Sequence, residues 1–184
     1  MTRFLLLSAA PKLRQCAHRT IPILLALTVV SGYCSLGAQH QEGETDAIKA
    51  LIAKYAAAVN VEPVDIDLAS QVWSNSPDVT FIHPLGHEHG WDEVKRNFYQ
   101  NTMEALFSER KLTTHDINVH VYGDSAWAEF YWHFIAKLRK GGSTVEANGR
   151  ETQIYRKIDP NRWVLVHVHY SGMPVTQERR GSGG

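Results

Sequence analysis

A histidine and a glutamate within one short segment are the residues best suited to chemistry. Residues 125–138 alternate in the manner of a β-strand, and Glu129 and His133 both occupy odd positions, so they project from the same face. In a largely apolar cavity, burial brings the pKa values of such groups towards neutrality, where they can transfer protons. We predict His133 as a catalytic candidate, with Glu129 or Glu151 as its partner. The alternative is that these side chains only hydrogen-bond each other and neighbouring hydroxyls.

A cluster of histidines before residue 93 offers a possible metal site. His87-x-His89-x-x-x-Glu93, with His83 just before it, resembles part of the metal-binding motif of cupins. The residues that follow have helical periodicity, whereas the cupin segment is a strand. Exposed histidines, or histidines at the rim of a pocket, are therefore favoured. We predict no metal ligand and no cofactor, with metal binding by this loop as the alternative.

His167 and His169 form a second histidine pair, on one face of the last predicted strand. With a third ligand they could hold an ion. No carboxylate lies near them in the sequence, so we expect them to be interface histidines that hydrogen-bond across strands.

The periodicity of apolar residues places these groups on a succession of helices and then strands. Helices are predicted at residues 46–60, 65–73 and 91–107, and strands at 79–83, 112–122, 125–138, 143–157 and 163–171. Helices first and an antiparallel meander afterwards indicate the α+β class. With 184 residues, of which 43% are apolar, the chain can form one well-buried domain.

Two of the predicted strands carry large apolar groups on both faces. In 125–138 the even positions are all apolar and the odd positions are mixed, and 163–171 also has bulky residues on either side. Three helices cover only one face of a sheet. We therefore expect a second copy of the chain to cover the other face, in a homodimer or a larger ring.

The first 38 residues have the order of a secretory signal peptide. Basic residues without any acid precede an apolar run at 21–30 and then small residues up to Ala38. The run is short for a membrane span, so we expect cleavage and an exported, periplasmic or secreted product without a membrane anchor, with an uncleaved signal anchor as the alternative. Both cysteines, Cys16 and Cys34, fall in this segment, and thiol chemistry is not expected of the mature chain.

The charge distribution argues against a nucleic-acid partner. The chain has 19 basic and 19 acidic residues, and the first 38 residues hold four of the basic ones and no acid, so the remainder is acidic. Residues 176–184 are polar and end in Gly and Ser, which predicts a flexible tail.

Three stretches of sequence resemble a known family. They are Asp-Ile-Asn-Val-His-Val-Tyr-Gly-Asp-Ser-Ala at 116–126, Arg-Glu-Thr-Gln-Ile-Tyr-Arg-Lys at 150–157, and Trp-Val-Leu-Val-His-Val-His-Tyr-Ser-Gly-Met-Pro at 163–174. They resemble the association (hub) domain of calcium/calmodulin-dependent protein kinase II, one of the NTF2-like proteins that include SnoaL-like (DUF4440-type) domains. The resemblance covers residues 44–175. It implies three helices packed in a strongly curved, mostly antiparallel sheet, a cone with a pocket, and assembly through the outer face of the sheet.

The resemblance also implies which side chains face the pocket. It places Phe130, Trp132, His167 and His169 outside. It places the candidate catalytic residues and the candidate ligand-binding residues inside: Glu129, Tyr131, His133, Glu151, Gln153 and Tyr170. The pocket arginines of the hub are absent here, and no kinase motif is present.

Two classes of function follow. The first is an exported, homo-oligomeric module that binds a small organic molecule without catalysis. The second is a cofactor-free cyclase, isomerase or dehydratase that uses a histidine and a carboxylate as acid and base.

Overall fold

A computed structural model of the chain describes residues 24–173, with side chains from residue 39 onwards except residue 40. A compact unit begins at Ala38. The predicted tail and most of the predicted signal peptide lie outside the described residues. Within the described part, no helix combines the length and the apolar character needed to span a membrane.

The helices precede most of the sheet and lie at Leu24–Asn60 (α1), Ile66–Val72 (α2), Gly90–Glu93 (α3) and Val94–Glu104, which is a π-helix. Ile48, Ile52, Tyr55 and Val59 recur at three- and four-residue spacing along α1, and all are buried. Asp65 caps α2 by accepting a hydrogen bond from the backbone amide of Leu68 at 2.8 Å. The third predicted helix is thus observed as one α-helical turn followed by π-helix.

Six strands form one curved sheet, at Thr80–His83 (β1), Gly86–His89 (β2), Phe107–Tyr122 (β3), Ser125–Leu138 (β4), Thr144–Asp159 (β5) and Arg162–Gly172 (β6). Their order is β2-β1-β6-β5-β4-β3, and all neighbours are antiparallel except β1 and β6. The predicted α+β class and the mostly antiparallel sheet are confirmed. Strand β2 was not predicted, because Gly86–His89 contains no apolar residue that would reveal the alternation.

The register shows which face of the sheet lines the interior. Phe130 on β4 pairs with Glu151 on β5, which pairs with Tyr170 on β6. These residues therefore share a face, and Phe130 and Glu151 are 2% and 1% exposed. The even positions of β4 form part of the core, including Trp132. The prediction that this apolar face is an outer interface was wrong, because it packs against the helices.

One buried arginine joins the ends of two helices to the start of β3. The side chain of Arg110 is fully buried, and its guanidinium donates to the carbonyls of Val59 at 2.8 Å, Met103 at 2.8 Å and Phe107 at 2.9 Å. It also lies 2.8 Å from the carboxylate of Glu62. Carbonyls near helix C-termini lack partners within the helix, so the charge satisfies them and complements the helix dipoles.

We predict that replacing Arg110 by Met lowers the free energy of unfolding by about 3 kcal/mol or more, because several buried carbonyls and Glu62 lose their donor. Urea denaturation of the purified protein measures the change. The matched control is Arg139→Met, which also removes a partner of Glu62 but at a half-exposed position. We expect the control to cost no more than about 1 kcal/mol. Equal losses in the two variants would contradict the role assigned to Arg110.

Candidate functional site

The proposed catalytic residues of β4 lie on the outer face of the sheet. Glu129 is exposed and its nearest polar partner is the amide of Asn118, at 3.5 Å. His133 instead contacts Glu146, with 2.7 Å between Nε2 and Oε1. The predicted inward orientation of both was wrong, since the odd positions of β4 oppose the face that carries Phe130. These two side chains are not brought together.

Tyr131 is also on the outer face, where its ring stacks on His115 with centroids 5.6 Å apart. The expectation that it lines the interior pocket was therefore wrong as well. The resemblance implied that His167 and His169 lie on the outer face. Both do, because Val168 between them is in the core and side chains alternate along a strand.

Glu151, Gln153 and Tyr170 lie on the inner face, in a buried polar cluster. The amide Nε2 of Gln153 donates to Oε1 of Glu151 at 2.5 Å, and the Tyr155 hydroxyl donates to Oε1 of Gln153. The hydroxyls of Tyr170 and Tyr55 hydrogen-bond each other. Among the described residues, Oε2 of Glu151 has no hydrogen-bond partner although it is buried.

Burial determines the charge of this cluster. Removal from water raises the pKa of Glu151 well above its usual range, and the hydrogen bond from Gln153 together with the nearby hydroxyl of Tyr170 offsets only part of that shift. Burial likewise raises the pKa values of Tyr55, Tyr155 and Tyr170, and the nearby Glu151 adds to the effect. The cluster is therefore favoured in its uncharged form.

An apolar cavity of about 180 Å³ lies against the inner face of the sheet, and it is partly open to solvent, because its lining includes the exposed residues Leu85 and Ala147. Its walls come from α1, the π-helix, the β1–β2 turn and five strands: Val59, His83, Pro84, Leu85, Phe98, Thr102, Met103, Phe107, Leu112, Trp132, Phe134, Ala147 and Tyr170. Only a few of these side chains carry polar atoms. The cavity can therefore hold a small apolar molecule and offer it few hydrogen bonds.

A histidine and a carboxylate do meet at this cavity, but they are His83 and Glu88. Their side chains are 7% and 10% exposed, with Nε2 of His83 at 3.3 Å from Oε1 of Glu88. The amide of Asn97 donates to the other carboxylate oxygen at 2.5 Å. The backbone amide of Leu85 donates to Nδ1 of His83 at 3.3 Å, so His83 carries its proton on Nε2.

The sequence placed His83 in a histidine loop but gave no sign that it faces the interior. Strand pairing explains the difference, because His83 and Glu88 fall on the inner face while His87 and His89 fall on the outer face. The predicted loop is in fact the β1–β2 hairpin. Within residues 24–173, no three His, Cys, Asp or Glu side chains are grouped so that they could hold a metal ion.

Comparison with known proteins identifies the family to which this domain belongs. The sequence profile of the SnoaL-like domain matches residues 48–176, which is well over half of the chain. The chain belongs to the SnoaL-like domain family. This membership confirms the NTF2-like, SnoaL-like assignment made from the sequence. A search of curated proteins found no significant match.

Three solved structures illustrate what this SnoaL-like domain is similar to. An NTF2-like superfamily protein from Salmonella enterica subsp. enterica serovar Typhimurium str. LT2 is 41% identical, with a TM-score of 0.69 over 74% of this chain and 96% of that one. A hexachlorocyclohexane dehydrochlorinase (LinA) Type2 is 14% identical, with a TM-score of 0.62 over 79% and 99%. A protein with a cystatin-like fold from Caulobacter vibrioides is 23% identical, with a TM-score of 0.57 over 71% and 90%. The last two show the fold alone.

We predict that the effect of Glu151→Gln on the free energy of unfolding depends on pH. The difference between the variant and the wild type should be more favourable to the variant at pH 8 than at pH 4.5. A carboxyl whose pKa is raised on folding stabilises the fold below its unfolded pKa of about 4.5, and this contribution is lost as the pH rises through the folded pKa. The relative gain should be at least about 1.4 kcal/mol, a tenfold change in proton affinity. Urea denaturation at the two pH values measures it.

The matched control is Glu146→Gln, at an exposed position, which should show no such dependence on pH. A difference between the variant and the wild type that stays constant from pH 4.5 to pH 8 would contradict the raised pKa of the buried Glu151.

Proposed function

We propose that this SnoaL-like domain binds a small, uncharged and mainly apolar organic molecule in its interior cavity. The observation that carries the proposal is the cavity itself, about 180 Å³ in volume and lined almost entirely by apolar side chains. A dry, apolar cavity of roughly 150 Å³ is known to bind benzene, so a single substituted ring is a suitable size.

The polar atoms around the cavity define where the ligand's polar group would lie. Polar side-chain atoms are carried by four lining residues, Tyr170, His83, Thr102 and Trp132, and none of the lining residues is Lys or Arg. The indole N–H of Trp132 is buried and has no hydrogen-bond partner among the described residues. Behind Tyr170 lies Glu151, whose burial favours the neutral carboxyl. An anionic ligand would therefore lack a countercharge, whereas a hydroxyl or carbonyl on an apolar ligand could hydrogen-bond to Tyr170.

Binding without catalysis is supported by the state of His83. Both of its ring nitrogens already have partners, namely the backbone amide of Leu85 and the carboxylate of Glu88. A general base needs a free nitrogen within hydrogen-bond reach of the proton that it removes. In this arrangement, His83 serves as a wall of the cavity.

The second candidate is a cofactor-free enzyme of the isomerase, cyclase or dehydratase kind, and the His83–Glu88–Asn97 arrangement favours it. A carboxylate bound to Nε2 orients the ring and stabilises the imidazolium that forms when Nδ1 takes a proton. The hydrogen bond from Leu85 to Nδ1 is long, at 3.3 Å. A small shift of the Pro84–Leu85 turn would release Nδ1 towards a ligand.

Export and self-association complete the proposal. The order of residues within 1–38, with basic residues followed by an apolar run and then small residues, supports an exported protein. The outer face of β4 and β5 carries exposed or half-exposed Trp127, Ile135 and Ile154 together with Arg150, which has no ion pair among the described residues. We propose that a second copy covers this face in a homo-oligomer.

We predict that native mass spectra of the purified protein show multiples of the subunit mass plus an organic mass that disappears on denaturation. Ala147→Phe should remove the added mass, because Ala147 lines the cavity at an exposed position and the larger side chain there would obstruct the opening. Ala105→Phe is the matched control, at an exposed position that does not line the cavity, and should retain the mass. Retention of the ligand by Ala147→Phe would contradict the assignment of the site.

The fate of the captured molecule distinguishes the two candidates. Binding predicts that the molecule, incubated in excess with the protein, keeps an unchanged proton NMR spectrum. Catalysis predicts conversion that His83→Gln slows by at least about 100-fold, since general acid–base catalysis contributes about 100- to 10,000-fold, while affinity changes little. Conversion that survives His83→Gln would exclude His83 as the base.

A further inference from the structure

Four of the ten histidines of the chain lie together on the outer face, at one end of the sheet. His87 and His89 are on β2, His167 and His169 are on β6, and β1 runs between these strands. One outward residue of β1 pairs with both His89 and His167, and the next pairs with both His87 and His169. We call this group the histidine face. The interior cavity makes no use of it.

Within the histidine face, His87 and His89 are the closest pair. Both side chains are exposed, and their ring centroids are 4.1 Å apart with a tilt of 43° between the planes. Two imidazole nitrogens at about 2.0–2.1 Å from one tetrahedral ion stand roughly 3.4 Å apart, and these exposed rings reach that spacing by rotating out of their present tilted contact. Strand β2 is the edge of the sheet, so an ion can reach the pair from solvent.

The other two histidines are less available. Nδ1 of His167 is 2.6 Å from the hydroxyl of Thr80, which occupies that nitrogen. Burial, followed by the charges that His169 and His87 would carry, lowers the pKa of His167. Neither ring nitrogen of His87 or His89 has a hydrogen-bond partner among the described residues. This pair is therefore free to coordinate.

We propose that His87 and His89 chelate one transition-metal ion of the Ni²⁺ or Zn²⁺ class on the outer face of the sheet, with water in the remaining positions. Imidazole nitrogens suit these ions, and the pair approaches one ion from adjacent outward positions of the same strand. This site differs from the cupin-like set considered from the sequence, because His83 of that set faces the interior. It is independent of the proposed function.

The test uses the full chain without an affinity tag, in which Cys16→Ser and Cys34→Ser remove the two thiols as competing ligands. Isothermal titration with NiCl₂ should show saturable binding at one site per chain. His87→Asn and His89→Asn should each weaken binding by at least tenfold. Mn²⁺ should bind at least tenfold more weakly than Ni²⁺, as expected for nitrogen ligands.

The matched control is the double variant His115→Asn, His120→Asn, which removes two other histidines of the outer face. It should bind Ni²⁺ within twofold of the parent. His167→Asn should also leave binding within threefold, because its Nδ1 is engaged by Thr80. Since both ligands are exposed, circular dichroism should show the same fold for all variants.

Three results would overturn the proposal. They are the absence of saturable Ni²⁺ binding, binding that His87→Asn and His89→Asn leave unchanged, and a loss in the His115, His120 variant as large as that in the β2 variants.

Discussion

The Arg110 guanidinium is the contact on which the shape of the cavity depends. Val59, Met103 and Phe107, whose carbonyls it binds, come from the end of α1, the end of the π-helix and the start of β3. All three of these residues also line the cavity. One buried charge therefore holds α1, the π-helix and β3 together around the binding site. It binds their backbone carbonyls, so these contacts do not depend on the identity of the side chains that line the cavity.

The inner face of the sheet combines this frame with a polar cluster in which burial raises the pKa of Glu151 and so favours the uncharged form. Glu151 and Gln153 are buried side by side where β5 crosses the core, and each satisfies part of the other's hydrogen-bonding capacity. Because burial favours the neutral carboxyl, the cluster can lie behind an apolar cavity without a countercharge. The same property makes the interior better suited to an uncharged ligand than to an anion.

Much of the fold could be predicted from the sequence, because period-two alternation is strong in the long strands. Ser125–Leu138 was predicted with its observed bounds, and the curved, mostly antiparallel sheet followed from the resemblance. Alternation separates the two faces of a strand but does not say which one is buried. For β4 the wholly apolar face indicated the buried side better than the resemblance did, because it is the face that packs inside.

The candidate site was harder to predict for a related reason. Glu151, Gln153 and Tyr170 were placed correctly on the inner face, but the histidine that lines the cavity is His83 and not His133. His83 meets Glu88 only through the β1–β2 hairpin, and β2 has no apolar pattern that reveals it in the sequence. The contact between His83 and Glu88 could therefore not be predicted, because it depends on a short strand whose residues show no apolar alternation.

The central claim is that the ligand site is the interior cavity and not the outer face of the sheet. Nuclear Overhauser effects between a bound aromatic probe, such as benzene, and methyl groups of the isotopically labelled protein test it most directly. We expect contacts to Met103 and Leu112, which line the cavity. Contacts instead to Ile135 and Ile154, which are exposed on the outer face, would contradict the account.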